Sequence, residues 1–149
     1  MRVIAWSENL TAERATAAGV THVDKQQLFE QADVLSVHLV LSERSRGLVD
    51  AQALAWMKPG ALLVNTARGP IVDEAALIAA LEQGRLAGAA LDVFDQEPLP
   101  ADHPLRRLPN VLATPHVGYV SRQNYQQFFG QMIEDLQAWH AGQPIRLLN

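Results

Sequence analysis

The sequence has 149 residues, of which 48% are hydrophobic, and this is enough to bury the core of a single domain. Its net charge of −4 and its scattered Lys and Arg residues argue against a nucleic-acid surface, and the lack of Cys excludes disulfides and thiolate metal sites. It has no secretion signal and no apolar run as long as a membrane span, so we expect a cytoplasmic protein that binds neither nucleic acid nor membranes.

The first part of the chain is predicted to alternate strands and helices. Strands are predicted over residues 2–6 and 34–39, and helices up to about residue 18, over 25–32 and over 50–57. Asp24 is expected to cap the second helix, with Leu28 and Phe29 on its inner side. Gly19 is expected to end the first helix, and Lys58-Pro59-Gly60 to stop the third.

The central stretch, residues 61–73, carries the first candidate for function. A continuous apolar run, followed at once by small polar residues, Arg68 and Gly69-Pro70, predicts a buried parallel strand. Asp73 is expected to cap the next helix. The packing side of that helix is predicted to consist of Ala75, Ala76, Leu77, Ala80 and Leu81. Arg68 would then lie beyond the carboxyl end of a strand, where open α/β sheets bind ligands, and its planar guanidinium suits a carboxylate.

The last part of the chain predicts two more strands and a long helix. Small residues predict a strand over 86–92 that ends at Asp92, and a loop over 96–110 leads to a strand over 111–113 that delivers His116. A helix over 121–141, capped by Ser121, repeats apolar residues on one face: Tyr125, Phe128, Phe129, Met132, Ile133, Leu136 and Trp139. We expect an ordinary core helix, because a face this apolar must be buried against another layer.

Three motifs occur in an order that resembles a known family. They are Val-Asn-Thr-Ala-Arg-Gly at residues 64–69, Ala-Leu-Asp-Val-Phe at 90–94 with Glu97-Pro98, and Thr-Pro-His-Val-Gly at 114–118. Each motif alone is modest evidence. Together they closely resemble the cofactor-domain signatures of the D-isomer-specific 2-hydroxyacid dehydrogenases, and the resemblance extends over essentially the whole chain.

The resemblance implies an α/β fold, a Rossmann-like doubly wound parallel sheet that is incomplete. A complete nicotinamide-binding domain starts with a strand, a G-x-G-x-x-G turn and a helix, and no glycines here have that spacing. We therefore interpret residues 1–149 as a partial dinucleotide-binding domain from the C-terminal part of a longer enzyme, with residues 121–141 directed towards an absent substrate domain. Without the central first strand, we expect two unpaired sheet edges and an isolated chain that is unstable, borrows a strand or rearranges.

Reduction of a 2-keto acid needs a hydride donor, a group that binds the carboxylate, and an acid near the carbonyl oxygen. Arg68 can bind the carboxylate and polarise the carbonyl. His116 can donate the proton on reduction and accept it on oxidation, and Glu97 can orient the imidazole. All three follow predicted neighbouring strands and so can converge on one crevice. The resemblance assigns the same three residues as the catalytic set.

The resemblance also implies a set of cofactor-binding residues: Ser7, Leu39, Thr66, Ala67, Arg68, Asp92, His116 and Gly118. Asp92 is implied to contact the nicotinamide carboxamide or the ribose. Enzymes that prefer NAD usually carry an acidic residue after the second strand, where this chain has Ser7 followed by Glu8. Ser7 does not repel a 2′-phosphate, but no adjacent Arg is present to bind one. NAD is therefore favoured, with NADP as the alternative.

Three functional interpretations stay open. The residues belong to a dehydrogenase that acts on a small 2-keto or 2-hydroxy acid; or the chain as it stands is an inactive fragment; or it is a non-enzymatic, NAD-binding regulator on the same scaffold, as some corepressors resembling this family are. The family resemblance further implies a homodimer formed through the cofactor domains.

Overall fold

The computed structural model describes residues 1–148, and the chain divides into two compact units, residues 1–115 and residues 116 onward. The first unit holds every strand of the described chain and four of the helices. The strands are β1 (Ile4–Ala5), β2 (Thr21–His22), β3 (Val34–Val37), β4 (Leu62–Asn65), β5 (Gly88–Leu91) and β6 (Val111–Ala113). The helices are α1 (Ala12–Ala17), α2 (Lys25–Gln31), α3 (Ala51–Trp56), α4 (Glu74–Glu82) and, in the second unit, α5 (Arg122–His140).

The strands form two parallel sheets, which confirms the predicted α/β class. One has four strands in the order β3-β4-β5-β6, and the other pairs β1 with β2. Strand β2 was not predicted, because its two polar residues carry neither an apolar run nor an alternation. No strand pairing joins the two sheets in the described residues, so β1 and β3 are both edge strands, as the missing central strand predicts.

Each of the five α-helices begins with a side-chain cap. Asp24 accepts the Gln27 N–H at 2.8 Å and forms a full capping box, because the Gln27 side chain accepts the Asp24 N–H in return. The same arrangement, without the return bond, begins the other helices at Thr11, Asp50, Asp73 and Ser121. These oxygens satisfy amides that have no partner within a helix, and the caps predicted at Asp24, Asp73 and Ser121 are confirmed.

One face of the four-stranded sheet supports the core. Leu63 of β4 is fully buried, and the helices contribute the other large buried side chains: Phe29, Leu54, Met57, Leu77 and Leu81. Side chains alternate between the two faces of a strand, and those on the opposite face, such as Leu62 and Leu112, are exposed. The predicted strand and its parallel pairing are confirmed, but it is buried only on the face that carries Leu63, and Leu62 is 42% exposed. Ala75, predicted on the packing side of α4, is also exposed.

The long helix α5 corrects a second expectation. None of its residues is buried, and its apolar face, from Tyr125 to Trp139, is about half to two-thirds exposed, at 47–71% for the large side chains. The prediction of a core helix is wrong: an apolar face is buried only where another layer covers it, and the described residues of the second unit form no other helix or strand. No helix in the described part of the chain has the length and apolarity needed to cross a membrane.

Removing the capping box tests how far these caps stabilise the short helices. Asp24→Ala is expected to lower the free energy of unfolding by about 1 kcal/mol, since the first-turn amide of Gln27 loses its acceptor. Urea denaturation measures this change. Asp24→Asn is the control, because its side-chain oxygen still accepts the amide, and equal losses in both variants would contradict the cap assignment.

Candidate functional site

The parallel register brings the predicted cofactor-binding residues of the four-stranded sheet to one edge. Val37, Asn65, Leu91 and Ala113 are register partners across neighbouring strands. Leu39, Thr66 and Asp92 each follow one of these strands within two residues. Since all four strands run in the same direction, their carboxyl ends form a single edge, which is where open α/β sheets bind ligands.

Asn65, the last residue of β4, organises the turn that presents Arg68. Its side chain is only 1% exposed. Its oxygen accepts the Ala67 N–H at 3.0 Å, and its amide nitrogen donates to the Arg68 carbonyl at 3.0 Å. Leaving either backbone group unpaired in this buried position would cost about 1–3 kcal/mol. Asn65 was not among the predicted site residues, although a lone polar residue at the end of an apolar strand is a signal that could have identified it.

Arg68 is exposed, and one of its guanidinium nitrogens donates to the Ala67 carbonyl at 2.6 Å. The backbone of the next residue, Gly69, lies directly against the segment that leads to Glu97. A Cβ atom added at Gly69 would stand 2.1 Å from the Phe94 carbonyl carbon and 2.6 Å from the Asp95 nitrogen. Only glycine allows this approach, so the Arg68 turn and the Glu97 loop are in direct contact.

Glu97 lies in an exposed loop and helps to shape it. One of its carboxylate oxygens accepts the Phe94 N–H at 2.9 Å, and the peptide bond to Pro98 is cis. The structure therefore places Arg68 and Glu97, two of the three predicted catalytic residues, on adjoining loops of the first unit.

Asp92 is a carboxylate held at the end of β5, with only 6% of the residue exposed. Thr114, just after β6, donates its hydroxyl to a carboxylate oxygen of Asp92 at 2.5 Å. A buried carboxylate at this edge offers an acceptor for an amide or a ribose hydroxyl. Ser7 follows β1 and therefore belongs to the separate two-stranded sheet; its carbonyl accepts the Leu10 N–H in the turn before α1.

The third predicted catalytic residue, His116, begins the second unit, together with Gly118. Its φ of 55° lies in the left-handed region, which non-glycine residues rarely adopt. The imidazole packs edge-on against Tyr119, with ring centroids 6.1 Å apart and an angle of 78° between the planes. A histidine held in an unfavourable backbone conformation is a frequent feature of functional sites.

A carboxyl group next to the site has a perturbed pKa. Burial raises the pKa of Asp95 above its usual range, and the negative charge of Glu74 adds to the rise, whereas Arg46 opposes it. Burial and a like charge both favour the neutral form of the Asp95 carboxyl group.

With this geometry described, the chain can be compared with known proteins. The family model for the NAD-binding domain of D-isomer specific 2-hydroxyacid dehydrogenases matches residues 1–118. A D-3-phosphoglycerate dehydrogenase of Bacillus subtilis is 41% identical over 145 residues, covering 97% of the chain and 27% of the relative. A glyoxylate reductase of Korarchaeum cryptofilum is 37% identical over 150 residues, covering 100% of the chain and 45% of the relative. The chain thus spans less than half the length of these curated relatives.

Solved structures show the same similarity. A phosphoglycerate oxidoreductase of Vibrio cholerae superposes with a TM-score of 0.87 at 37% identity, covering 95% of this chain and 46% of that one. A D-lactate dehydrogenase of Lactobacillus jensenii, solved with NAD⁺, has a TM-score of 0.82 at 29% identity, with 99% and 48% covered. An acyclic imino acid reductase solved with NADPH and D-Arg has a TM-score of 0.77 at 29% identity, with 100% and 46% covered.

The raised pKa of Asp95 predicts a dependence of stability on pH. The folded state binds this proton more tightly than the unfolded state, so stability falls as the pH rises above 3.8 and Asp95 ionises. Asp95→Asn is expected to raise Tm slightly at pH 7, and the gain should disappear at pH 3, where both side chains are uncharged. Thermal melts at the two pH values measure this, with Asp102→Asn as a control in the same exposed loop. An equal gain at both pH values would contradict the assignment.

Proposed function

Because this chain belongs to the D-isomer specific 2-hydroxyacid dehydrogenase family, we propose that it supplies the cofactor side of a site for hydride transfer between NAD(H) and a 2-keto or 2-hydroxy acid. The observation that carries the proposal is the direct contact between the Arg68 turn and the Glu97 loop, at the carboxyl edge of a parallel NAD-binding sheet.

We assign to Arg68 the binding of the substrate carboxylate. Its guanidinium is exposed, carries a permanent charge and presents a planar pair of donors that matches a carboxylate. The same charge polarises the neighbouring keto group and stabilises the negative charge that develops on its oxygen during reduction. The Asn65 hydrogen bonds hold the backbone of the turn in place, so the Arg68 side chain extends from a fixed backbone position.

We assign to His116 the transfer of the proton. A nicotinamide cofactor, when bound, would supply the hydride that reduces the keto carbon. In the reduction, the imidazolium of His116 gives a proton to the oxygen that becomes the hydroxyl. In the oxidation, the neutral imidazole takes that proton back. Histidine suits both directions because its unperturbed pKa lies near neutrality. We propose that Glu97 orients this imidazole and stabilises its charged form.

The residues present fit one part of a nicotinamide dinucleotide. Asp92 is a buried acceptor at the carboxyl edge, and Leu39, Thr66 and Ala67 lie along the same edge. We assign to these residues, together with Arg68, His116 and Gly118, the binding of the nicotinamide and its ribose. We assign to Ser7 the binding of the adenosine ribose. It carries no charge to exclude a 2′-phosphate, but no Arg lies next to it in the sequence to bind one, so NAD is the proposed cofactor and NADP the alternative. The sequence contains no G-x-G-x-x-G cradle for the pyrophosphate.

Further parts of the proposal concern what lies around the site. The substrate is proposed to be a small 2-keto or 2-hydroxy acid, with no nucleic acid or membrane as a partner. We further propose a cytoplasmic homodimer, and we propose that the apolar face of α5 packs towards a substrate domain. The same face exposes aromatic and aliphatic side chains that water does not favour.

Cofactor binding tests whether the chain can act by itself. A fluorescence titration of the 149-residue chain with NADH is expected to show weak binding or none, since the sequence lacks the glycine-rich pyrophosphate cradle. NADPH serves as the comparison. Absence of binding would favour the inactive-fragment alternative for the isolated chain, whereas clear saturation would show that the cofactor site is completed by other residues.

The role of Arg68 is tested by NADH-dependent reduction of glyoxylate, at millimolar NADH to compensate for the weak binding expected of the isolated chain. Arg68→Lys is expected to lower kcat/KM by about 10²-fold, because a point charge cannot reproduce the bidentate contact with the carboxylate. Arg107→Lys, at an exposed position outside the edge, is the control. Equal activity of the Arg68 variant and the control would contradict the assignment.

A further inference from the structure

The backbone of Phe94 and Asp95 is the point where the loops of the two predicted catalytic residues meet. Gly69, next to Arg68, contacts it from one side with no side chain between them. Glu97 contacts it from another side by accepting the Phe94 N–H at 2.9 Å. Any movement of this short segment would therefore change the position of Arg68 relative to Glu97.

A third element also holds this segment, and no role proposed above uses it. Glu74, the first residue of α4, accepts the Asp95 N–H with one carboxylate oxygen at 3.4 Å. Its other oxygen lies 3.1 Å from Nε2 of His103, and both side chains are largely buried, at 21% and 18% exposed. The carboxylate thus connects helix α4, the Asp95 amide and the segment that contains His103.

The His103 ring is oriented for this contact. Its Nδ1 atom accepts the Leu105 N–H at 3.4 Å, where it caps the short 3₁₀ helix Pro104–Arg106. An accepting Nδ1 leaves the ring proton on Nε2, so the neutral imidazole already donates to Glu74. The contact therefore does not depend on a protonated histidine.

The charge of Glu74 is unfavourable for its neighbour. After burial, it is the next largest cause of the raised pKa of Asp95, and Arg46 offsets only part of the repulsion. If Glu74 served only as a negative charge in the first turn of α4, this repulsion would count against it. Its two hydrogen bonds give it a different use.

We propose that Glu74 is a positioning residue, which holds the Asp95 amide against the Arg68 turn and thereby fixes Arg68 relative to Glu97. This inference rests on the proposed function, which gives Arg68 and Glu97 their roles. Glu74 acts through the loop backbone and not on the substrate. Misplacing catalytic groups by about 1 Å through a remote substitution is known to slow catalysis by up to about 10²-fold.

Amide hydrogen exchange, followed by NMR on the 149-residue chain, tests the positioning without any need for turnover. Glu74→Ala is expected to speed exchange of the Asp95 amide by about tenfold, with a smaller effect on Phe94, while the amides of Leu63 and Ala89 in the sheet keep their rates. Glu74→Gln is expected to recover part of the protection, because its single amide oxygen can still accept the Asp95 N–H while its NH2 group then meets the Nε2–H donor of His103. Glu82→Gln, at the exposed end of the same helix, is the matched control.

Two results of this experiment would overturn the inference. One is an Asp95 amide that exchanges at the wild-type rate in Glu74→Ala. The other is an equal acceleration at Leu63 and Ala89, since that pattern would show a general loss of stability.

Kinetics separate this inference from the proposed function. In glyoxylate reduction, Glu74→Ala is expected to raise KM by about tenfold with a smaller change in kcat, and Glu74→Gln to give a KM between those of Glu74→Ala and the wild type. If Arg68→Lys impairs turnover and Glu74→Ala leaves KM unchanged, the positioning role is wrong and the proposed function stands. If Arg68→Lys has no effect, the proposed function is wrong, whatever the exchange rates show.

Discussion

The whole site depends on the parallel alignment of four short strands. Val37, Asn65, Leu91 and Ala113 are hydrogen-bonded register partners, so every loop that leaves the sheet at its carboxyl end starts from the same row. A shift of one residue would turn each side chain to the opposite face and move the core side chains into solvent. The burial of Leu63 and its neighbours against α2, α3 and α4 therefore fixes the register, and with it the place of the candidate site.

From that row, two loops are brought together by a direct backbone contact and are held by hydrogen bonds from side chains to backbone groups. Asn65 ties down the turn that carries Arg68, and Gly69 allows the turn to lie against Phe94 and Asp95. Side-chain carboxylates then hold the second loop. This construction suits a site in which charged groups must be placed before a substrate arrives, because backbone contacts leave few alternative arrangements.

The same chain leaves two apolar surfaces uncovered. One is the open face of the four-stranded sheet, where an open groove of about 480 Å³ is lined by residues such as Leu62, Gly88 and Leu112. The other is the face of α5. Apolar surfaces of this extent are usually contact surfaces in soluble proteins. The chain spans less than half the length of the curated relatives described above, in which the corresponding elements belong to a longer polypeptide.

Local signals in the sequence determined much of this architecture. Caps at Asp24, Asp73 and Ser121, apolar runs and ordered motifs were enough to predict the helices, most strands and the family. Only the tertiary structure decided which residues are buried, because burial depends on whether another layer covers a face. That is why Leu62 and the face of α5 are exposed despite their apolar sequences. The contacts of Gly69 and Glu74 with the Phe94–Asp95 segment were equally beyond the sequence, since they join residues more than twenty positions apart that meet only when β4 and β5 align.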